Sequence, residues 1–401
     1  METMTRRSRK RSHMRPWIRL WLAAIPIVTG CDILSPGDST EPITLLSPDC
    51  PLLSYCAAWR WSPNGDEIVY RWWLPSEGSR RRPEYRAIDV SNRRVRTLVE
   101  SFDDQRRMLA YIGMQVLGPY LYFSATDETG SHDNGCCSGP GRGSDIYRVR
   151  VDGGTLERVA RNIGMRYTVS PDGSTLTTVR FTNDQHLSRY DIPSRTWSEF
   201  PMEVPLGWIN WAPDGSSFVL VDPFAGFGNI GTGGQLYDLR SNTVRAWSGP
   251  EGIVGHGGSE VSRTIFWDRG EPYLVAVRGT GTIVRRRLRD DTDVVVHTFA
   301  AGLEARVNPG LSVSGDGRFA AMWRNRCPND GSVCGRRGSG HLEAVVVNLR
   351  SGGEVVVKVP SEAYRILDRT LINRPPVLSP DGCRVAFSAG GLWIKPVPGA
   401  C

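Results

Sequence analysis

"SPDG" stands at residues 170–173 and again at 379–382, with near copies at Ser62-Pro63-Asn64-Gly65, Ala212-Pro213-Asp214-Gly215 and Ser314-Gly315-Asp316-Gly317. Each copy separates two apolar runs, as Tyr167 to Val169 from Leu176 to Val179, or Leu311 to Val313 from Phe319 to Trp323. That is the layout of a β-hairpin. Pro presets φ at the first corner, Asp or Asn bonds back to the local backbone, and Gly takes the left-handed conformation that other residues resist. Turn chemistry accounts for the tetrapeptide; a calcium loop would need several oxygen donors at close spacing.

Spacing turns the hairpin into an architecture. The turn glycines fall at 65, 173, 215, 317 and 382, so the gaps are 108, 42, 102 and 65 residues. Two gaps are about double the roughly 40 to 50 residues of one propeller blade, so one turn is missing from each. The first long gap supplies strands around Tyr120 to Phe123, Asp145 to Val149 and Leu156 to Val159, with Gly118-Pro119 as the turn. The second supplies Thr264 to Trp267, Tyr273 to Val277, Thr282 to Leu288 and Val294 to Thr298, with Asp268-Arg269-Gly270 as the turn. The expected fold is all-β, a seven-bladed β-propeller, preferred to six or eight blades. After Leu392 to Val397 no fourth strand remains, and Ile43 to Leu46 is expected to complete that last sheet and remove the open edge at the seam. Composition agrees, at 40% hydrophobic with 44 Gly and 27 Pro: too apolar for disorder and too rich in turn formers for a helical chain.

The pattern W-S-P-D-G, apolar run, aromatic-rich third strand and outer strand resembles the PD40, or TolB-like, β-propeller repeat. Trp61 to Tyr70, Asn210 to Val221 and Leu378 to Ser388 carry it best, and Asp145 to Thr155 matches the third strand and its turn. The resemblance covers nearly all of 43–401. It implies an extracytoplasmic scaffold that works with protein partners, and does not name the partner, because propellers host many functions.

The first 30 residues read as an export signal: Arg6, Arg7, Arg9, Lys10, Arg11, Arg15 and Arg19 precede the apolar stretch Leu20 to Val28. Val28-Thr29-Gly30-Cys31 resembles the lipobox of bacterial lipoproteins, which makes Cys31 the expected lipidated residue, 31–42 a tether, and 43–401 a single propeller domain. The expected location is the cell envelope, anchored by lipid and extracytoplasmic, on the periplasmic side or the cell surface. The chain carries a formal +7, of which residues 1–30 hold seven basic residues and one acid, leaving the mature chain near +1. No nucleic-acid partner is expected, since such binding rests on a basic surface. Beyond Cys31 there remain Cys50, Cys56, Cys136, Cys137, Cys327, Cys334, Cys383 and Cys401, an even set that reads as disulfides in an exported chain. Proximity favours Cys50 with Cys56, Cys327 with Cys334 and Cys383 with Cys401. Cys136 and Cys137 are left, and a bond between sequence neighbours is strained.

The turns joining first to second and third to fourth strands share one face of such a ring, and the connections between second and third strands share the other. Four of the latter are long: Leu74 to Glu84, Ala125 to Ser144, Asp222 to Gly233 and Arg324 to Gly340. Long loops on a rigid scaffold are where recognition resides. The candidate contacts on that rim are Arg80, Arg82, Arg142, Phe224, Phe227, Arg324 and Arg326. Catalytic groupings are scarce. No G-x-S-x-G elbow or H-E-x-x-H motif occurs, His256-Gly257-Gly258-Ser259 lacks a nucleophile to serve, and His132-Asp133 beside the cysteine pair reads better as disulfide than as metal site. Asp290, Asp291 and Asp293 fall in a turn, and Trp59, Trp61, Trp211, Trp323 and Trp393 follow a blade rhythm that suits packing between sheets. No catalytic residue, metal or cofactor is expected. The expected function is a noncatalytic, monomeric propeller that binds an envelope protein or peptide; the alternatives are a lyase, glycan hydrolase or cyclase at the channel mouth, or a glycan or small-molecule sensor.

Overall fold

The computed structural model describes residues 43–46, 59–74, 82–100, 107–109, 114–126, 144–163, 167–181, 185–203, 208–221, 233–249, 263–279, 281–305, 310–326, 341–357, 359, 375–388 and 392–401. Within them every regular element is a strand, and the strands form seven antiparallel sheets set in a ring. Blade one runs outward through Trp59–Trp61, Glu67–Leu74, Arg82–Asp89 and Val95–Val99. Blade two uses Gln115–Leu117, Tyr120–Thr126, Ser144–Arg150 and Glu157–Ile163, and blade three Tyr167–Val169, Thr175–Phe181, Gln185–Asp191 and Thr196–Glu203. Blade four comprises Trp208–Trp211, Ser217–Val221, Gly234–Asp238 and Thr243–Trp247; blade five comprises Arg263–Asp268, Glu271–Arg278, Thr282–Arg287 and Thr292–Thr298. Blade six has Leu311–Val313, Phe319–Arg326, His341–Asn348 and Glu354–Val357. Blade seven takes Val377–Leu378, Arg384–Ser388 and Leu392–Pro396 from the end of the chain and its outer strand, Ile43–Leu46, from the beginning.

The repeated tetrapeptide does more than turn the chain. Its glycines hold φ between +67° and +76° at 65, 173, 215, 317 and 382. Its serine is buried, at 2% exposed for Ser62 and Ser314, 4% for Ser170 and 0% for Ser379. The serine hydroxyl donates to the aspartate, as from Ser379 to Asp381 Oδ1 at 2.5 Å and from Ser314 to Asp316 Oδ1 at 2.7 Å. The same oxygen accepts the backbone N–H five residues on, from Thr175 at 2.9 Å and from Arg384 at 2.9 Å. One hydroxyl therefore locks the mouth of the hairpin, which removes a buried unpaired donor that would otherwise cost about 1–3 kcal/mol. Each turn glycine also abuts the preceding blade. A Cβ on Gly317 would meet the Phe266 ring at 2.5 Å and one on Gly382 the Phe319 ring at 2.6 Å, whereas on Gly215 the nearest atom is Pro171 Cδ at 4.0 Å.

The apolar core is divided among the seven junctions. Val69 and Tyr85 of blade one meet Leu121 and Phe123 of blade two, and Tyr122 and Ile146 meet Tyr167 and Leu176 of blade three. Leu187 and Phe200 meet Phe218 and Tyr237, and Val219 and Trp247 meet Ile265 and Leu274. Phe266 and Val275 meet Leu311 and Met322, Trp323 and Val346 meet Val385 and Phe387, and Ile394 and Ala386 return to Trp59 and Tyr70. The expected packing tryptophans sit in these layers: Trp59, Trp61 and Trp323 are buried, and Trp211 and Trp393 pack on their margins.

Polar side chains on the inner strands sew neighbouring blades together. Gln115 donates to Tyr167 O and accepts from Val169 N, both at 3.1 Å. Asn210 accepts from Trp267 Nε1 at 2.7 Å, Thr264 donates to Leu311 O at 2.8 Å, and Ser312 donates to Pro376 O at 2.6 Å. At the seam Trp61 Nε1 donates to Val377 O at 3.1 Å and Arg384 Nη2 to Gly65 O at 2.8 Å. The expected closing strand pairs antiparallel with the last one through Ile43↔Ile394, Thr44↔Trp393 and Leu46↔Leu392. Cys383 and Cys401 are joined, with Cα atoms 5.6 Å apart, and this ties the final residues to the blade-seven turn. The other cysteines assigned to disulfides, Cys50, Cys56, Cys136, Cys137, Cys327 and Cys334, lie outside the described residues, as does Cys31.

Two expectations follow for the turns. Alanine at Gly215 should cost about 1–2 kcal/mol, the strain of a left-handed residue, while alanine at Gly317 or Gly382 should cost a further 1–3 kcal/mol or so from overpacking a ring; equal urea midpoints for all three would contradict the wedge. Burial alone would raise the Asp316 and Asp381 carboxyls, but the Ser314 and Ser379 hydroxyls and the Arg318 and Cys383 backbone N–H groups outweigh it and hold both below their ordinary value. A depressed carboxyl contributes stability above the ordinary carboxylate range and loses it as pH falls through the folded value, so Asp316→Asn with Asp381→Asn should flatten the acid limb of a stability-against-pH curve.

Candidate binding rim

Strand direction fixes which connections share a face. In each meander the second strand ends and the third begins on the same side of the ring, opposite the SPDG turns. Three blades close tightly there, with Phe181↔Gln185, Arg278↔Thr282 and Ser388↔Leu392 paired. The other four open into the insertions, whose flanking pairs are Leu74↔Arg82, Ala125↔Asp145, Val221↔Gly234 and Arg326↔His341. Blades two and six are lengthened at these sites. A short strand Arg107–Leu109 pairs with the rim end of the second strand of blade two, from Ser124 to Thr126, and Leu303–Ala305 does the same for Arg324 to Arg326 of blade six. The connection from the preceding blade thus adds a strand beside the rim end of the second strand, where residues 127–143 and 327–340 leave the described sheet.

Blade six braces its rim with charge. Arg324 is 1% exposed. Its Nη2 reaches Glu343 Oε2 at 2.7 Å and its Nη1 reaches Glu354 Oε2 at 2.9 Å, and the guanidinium stands 5.3 Å from the Phe299 ring centroid. Arg326, on the exposed side, pairs with the other oxygen of Glu343 at 2.9 Å. Burial would raise the Glu343 carboxyl, and the hydrogen bonds from Arg324 and Arg326 overcome this and lower it. From blade five, His297 bonds through Nδ1 to Gly352 O at 2.8 Å, and its Nε2 lies 3.0 Å from Glu354 without the alignment of a hydrogen bond. A bidentate guanidinium between two carboxylates suits the planar fork of arginine and no other side chain.

Ion pairs also stand on other blades that carry insertions. On blade one Arg86 pairs with Glu84 at 2.7 Å and lies 5.2 Å from the Trp72 ring centroid. On blade two the pair of Arg148 with Glu157 at 2.8 Å, with Arg148 4.8 Å from the Tyr120 ring centroid, stands at the turn-face end instead. Blade four uses contact instead: a Cβ on Gly234, where the chain returns from its insertion, would lie 2.1 Å from Leu220 O and 2.6 Å from the Trp247 ring. Only glycine fits that return.

Of the residues expected to make contacts, Arg326 lies on this rim, exposed and paired with Glu343. Arg82 begins the third strand of blade one opposite Leu74. Arg324 is turned inward and its charge is satisfied inside the blade, a correction to its expected place at the surface. Arg80, Arg142, Phe224 and Phe227 lie outside the described residues. The sequence reading missed Glu343, Glu354 and His297 as one cluster. Its one legible trace was charge at inward positions of apolar strands, Arg324 in FAAMWRNR and Glu343 in HLEAVVVN, which become direct partners once the register is known.

Elsewhere the polar groups are committed to structure. Asp290 accepts from Arg287, whose hydrogen bond holds its carboxyl down to about 2. Asp293 is clamped between Arg286 at 2.6 Å and Arg278 at 2.8 Å. Among the described residues no group of three or more His, Cys, Asp and Glu could hold a metal ion. On the turn face a polar cleft of about 460 Å³ opens between blades one and two, lined by Ser62, Asn64, Glu67, Arg96, Pro119 and Asp152. Its cation is engaged already, since Arg96 pairs with Glu67 and donates to Val151 O.

No family model and no curated protein matches the chain. Many solved structures resemble it. An oligogalacturonate lyase in complex with manganese is 14% identical, over 86% of this chain and 90% of that one, with a TM-score of 0.56. The oligogalacturonate lyase of Vibrio parahaemolyticus is 13% identical, over 90% and 92%, with a TM-score of 0.54. TolB from Acinetobacter baumannii is 14% identical over 84% and 79%; at a TM-score of 0.39 it adds no argument. At these identities the likeness is one of fold.

The blade-six brace gives a measurable expectation. Glu343→Ala leaves half of the buried guanidinium without a partner and should destabilise the protein by about 3–5 kcal/mol, with Glu343→Gln milder. Urea denaturation checks it, and a midpoint unchanged in Glu343→Ala would show that Arg324 finds another partner.

Proposed function

We propose that the protein is a lipid-anchored, extracytoplasmic β-propeller that binds an envelope protein or peptide, without catalysis, through the rim that carries its four insertions. The observation that carries this reading is the placement of the two additional strands. They lengthen blades two and six and no other described blade, and each lies at the root of an insertion. A loop held at both ends by paired backbone loses less freedom when it meets a partner, so more of the contact energy appears as affinity. The braces of Arg324 with Glu343 and Glu354, and of Arg86 with Glu84 and Trp72, serve the same end, since neutralised charge at the base keeps the platform fixed while the insertions supply the chemistry of recognition.

The anchoring half of the proposal rests on the apolar stretch and Val28-Thr29-Gly30-Cys31. The noncatalytic half is supported by the inner strands, where Gln115, Asn210, Thr264 and Ser312 are bonded to the adjacent blade. Groups so engaged hold the ring together and are not poised for proton transfer, which needs an acid or base within reach of a substrate atom.

Replacing residues 75–81, 127–143, 222–232 and 327–340 one at a time by two-residue turns tests the rim. Affinity capture from envelope extracts, with the intact protein as reference, should lose the same partner on replacement of at least one insertion while the thermal midpoint stays put. Full recovery of that partner by the variant lacking all four would reject the rim, and turnover of a glycan or nucleotide by the purified propeller would reject the noncatalytic assignment.

A further inference from the structure

Beyond Pro396 the chain forms a strap. Residues 397–401 lie outside every strand and return to the blade-seven turn, where Val397 N donates to Cys383 O at 2.8 Å and Ala400 N donates to Val397 O at 3.2 Å. Val397 and Ala400 are buried in the apolar layer that Phe319, Trp323 and Val346 of blade six share with Val385 and Phe387 of blade seven. Cys401, which closes the strap, is exposed and bonded to the half-buried Cys383. The two sides of that bond differ in how firmly they are held. Cys383 belongs to the turn: its N–H donates to Asp381 Oδ1 at 3.0 Å, and the next residue, Arg384, pairs with Pro396. Cys401 has no such ladder beside it.

We propose that Cys383–Cys401 is a redox latch on the closing blade: while the bond stands, residues 397–401 stay in the layer between blades six and seven, and reduction by a dithiol oxidoreductase releases them and loosens the seam. Exposure makes Cys401 the point of attack. A thiolate of the dithiol adds to Cys401 Sγ, the S–S bond breaks with its electron pair passing to Cys383 Sγ, and the second thiol of the dithiol then displaces Cys401. The protein gains two electrons and two protons as two thiols, and the dithiol becomes a disulfide. Release follows because Val397 and Ala400, with the hydrogen bonds above, must otherwise hold five residues against their conformational freedom. A bond that closes a separation of 18 residues removes much of that freedom. The effect reaches the seam through Leu392–Pro396, which carries the strap at one end and is the strand on which Ile43–Leu46 pairs. The latch is independent of what the rim binds and of any lipid at Cys31.

Alkylation and hydrogen exchange on the full chain test the latch. Iodoacetamide should leave Cys383 and Cys401 unlabelled in the native protein and label both after dithiothreitol, as read by mass spectrometry of the peptides that carry them. In Cys401→Ser the amides of 397–401 should exchange about tenfold faster than in the parent, and those of 392–394 and 43–46 several-fold faster, with 175–181 of blade three unchanged. Cys383→Ser should behave alike, and circular dichroism of both variants confirms that the blades persist. The parent under dithiothreitol should match the variants, and the variants should not respond further to the reagent at these amides, which separates this bond from the other cysteines. Labelling of either cysteine without reductant, unchanged exchange at 397–401 once the bond is removed, or acceleration spread evenly over all seven blades each overturns the latch.

Discussion

A twisted antiparallel sheet with apolar side chains on both faces is stable only if something covers each face, and among the described residues that cover is another sheet of the same kind. That constraint governs the rest of the molecule. None of the seven apolar layers belongs to one blade, since Phe123 completes the face that Tyr85 begins and Phe387 the one that Trp323 begins. Each blade thus depends on two neighbours, and an arc of six would leave two uncovered apolar faces. The hydrogen bonds of Gln115, Asn210, Thr264 and Ser312 to neighbouring backbones do near the axis what the apolar layers do further out. Gly317 and Gly382 complete the arrangement, because they let one blade's corner rest on the ring of the blade before it.

This dependence explains why sequence carried the fold so far. All five turn glycines adopt positive φ, those at 317 and 382 also approach an aromatic ring, and a buried hydroxyl that must bond twice is best met by serine, so turn chemistry keeps the tetrapeptide recognisable from blade to blade. Where the corner is made differently, as by Arg269 and Gly270 at φ of 53° and 80°, the motif disappears while the blade remains. The closing strand was legible for a related reason: after Pro396 no further apolar run remained to cover the edge. What could not be read was register. Arg324 looked like a rim residue because it abuts an insertion, yet its partners Glu343 and Glu354 come from two other strands, and no local pattern tells an inward arginine from an outward one until the pairs Arg324↔Glu343 and Val347↔Glu354 are fixed. The strands 107–109 and 303–305 escaped notice because three residues beside a longer partner leave no periodicity to detect.

The division of labour between the two faces follows from the same geometry. Turns between adjacent strands can be shortened to a tetrapeptide and made part of the packing, and on one face they have been. On the other, four connections have been released from that duty; ion pairs stand near the roots on blades one and six, extra backbone pairing on blades two and six, and a close-packed glycine on blade four. Rigid base and variable loop are a common way to build recognition, and they coexist here within single blades.

The seam also bears on how the protein comes into being. Residues 43–46 leave the ribosome long before Leu392–Pro396, yet each is the other's hydrogen-bonding mate, separated by some 350 positions. Topologies that depend on such distant pairing are slow to form. During synthesis the leading segment must wait, uncovered, for the trailing one, and the apolar flank of blade one must wait with it. The circle is sealed by its last arrival, so a chain cut short in synthesis would keep an open, adhesive arc prone to aggregation.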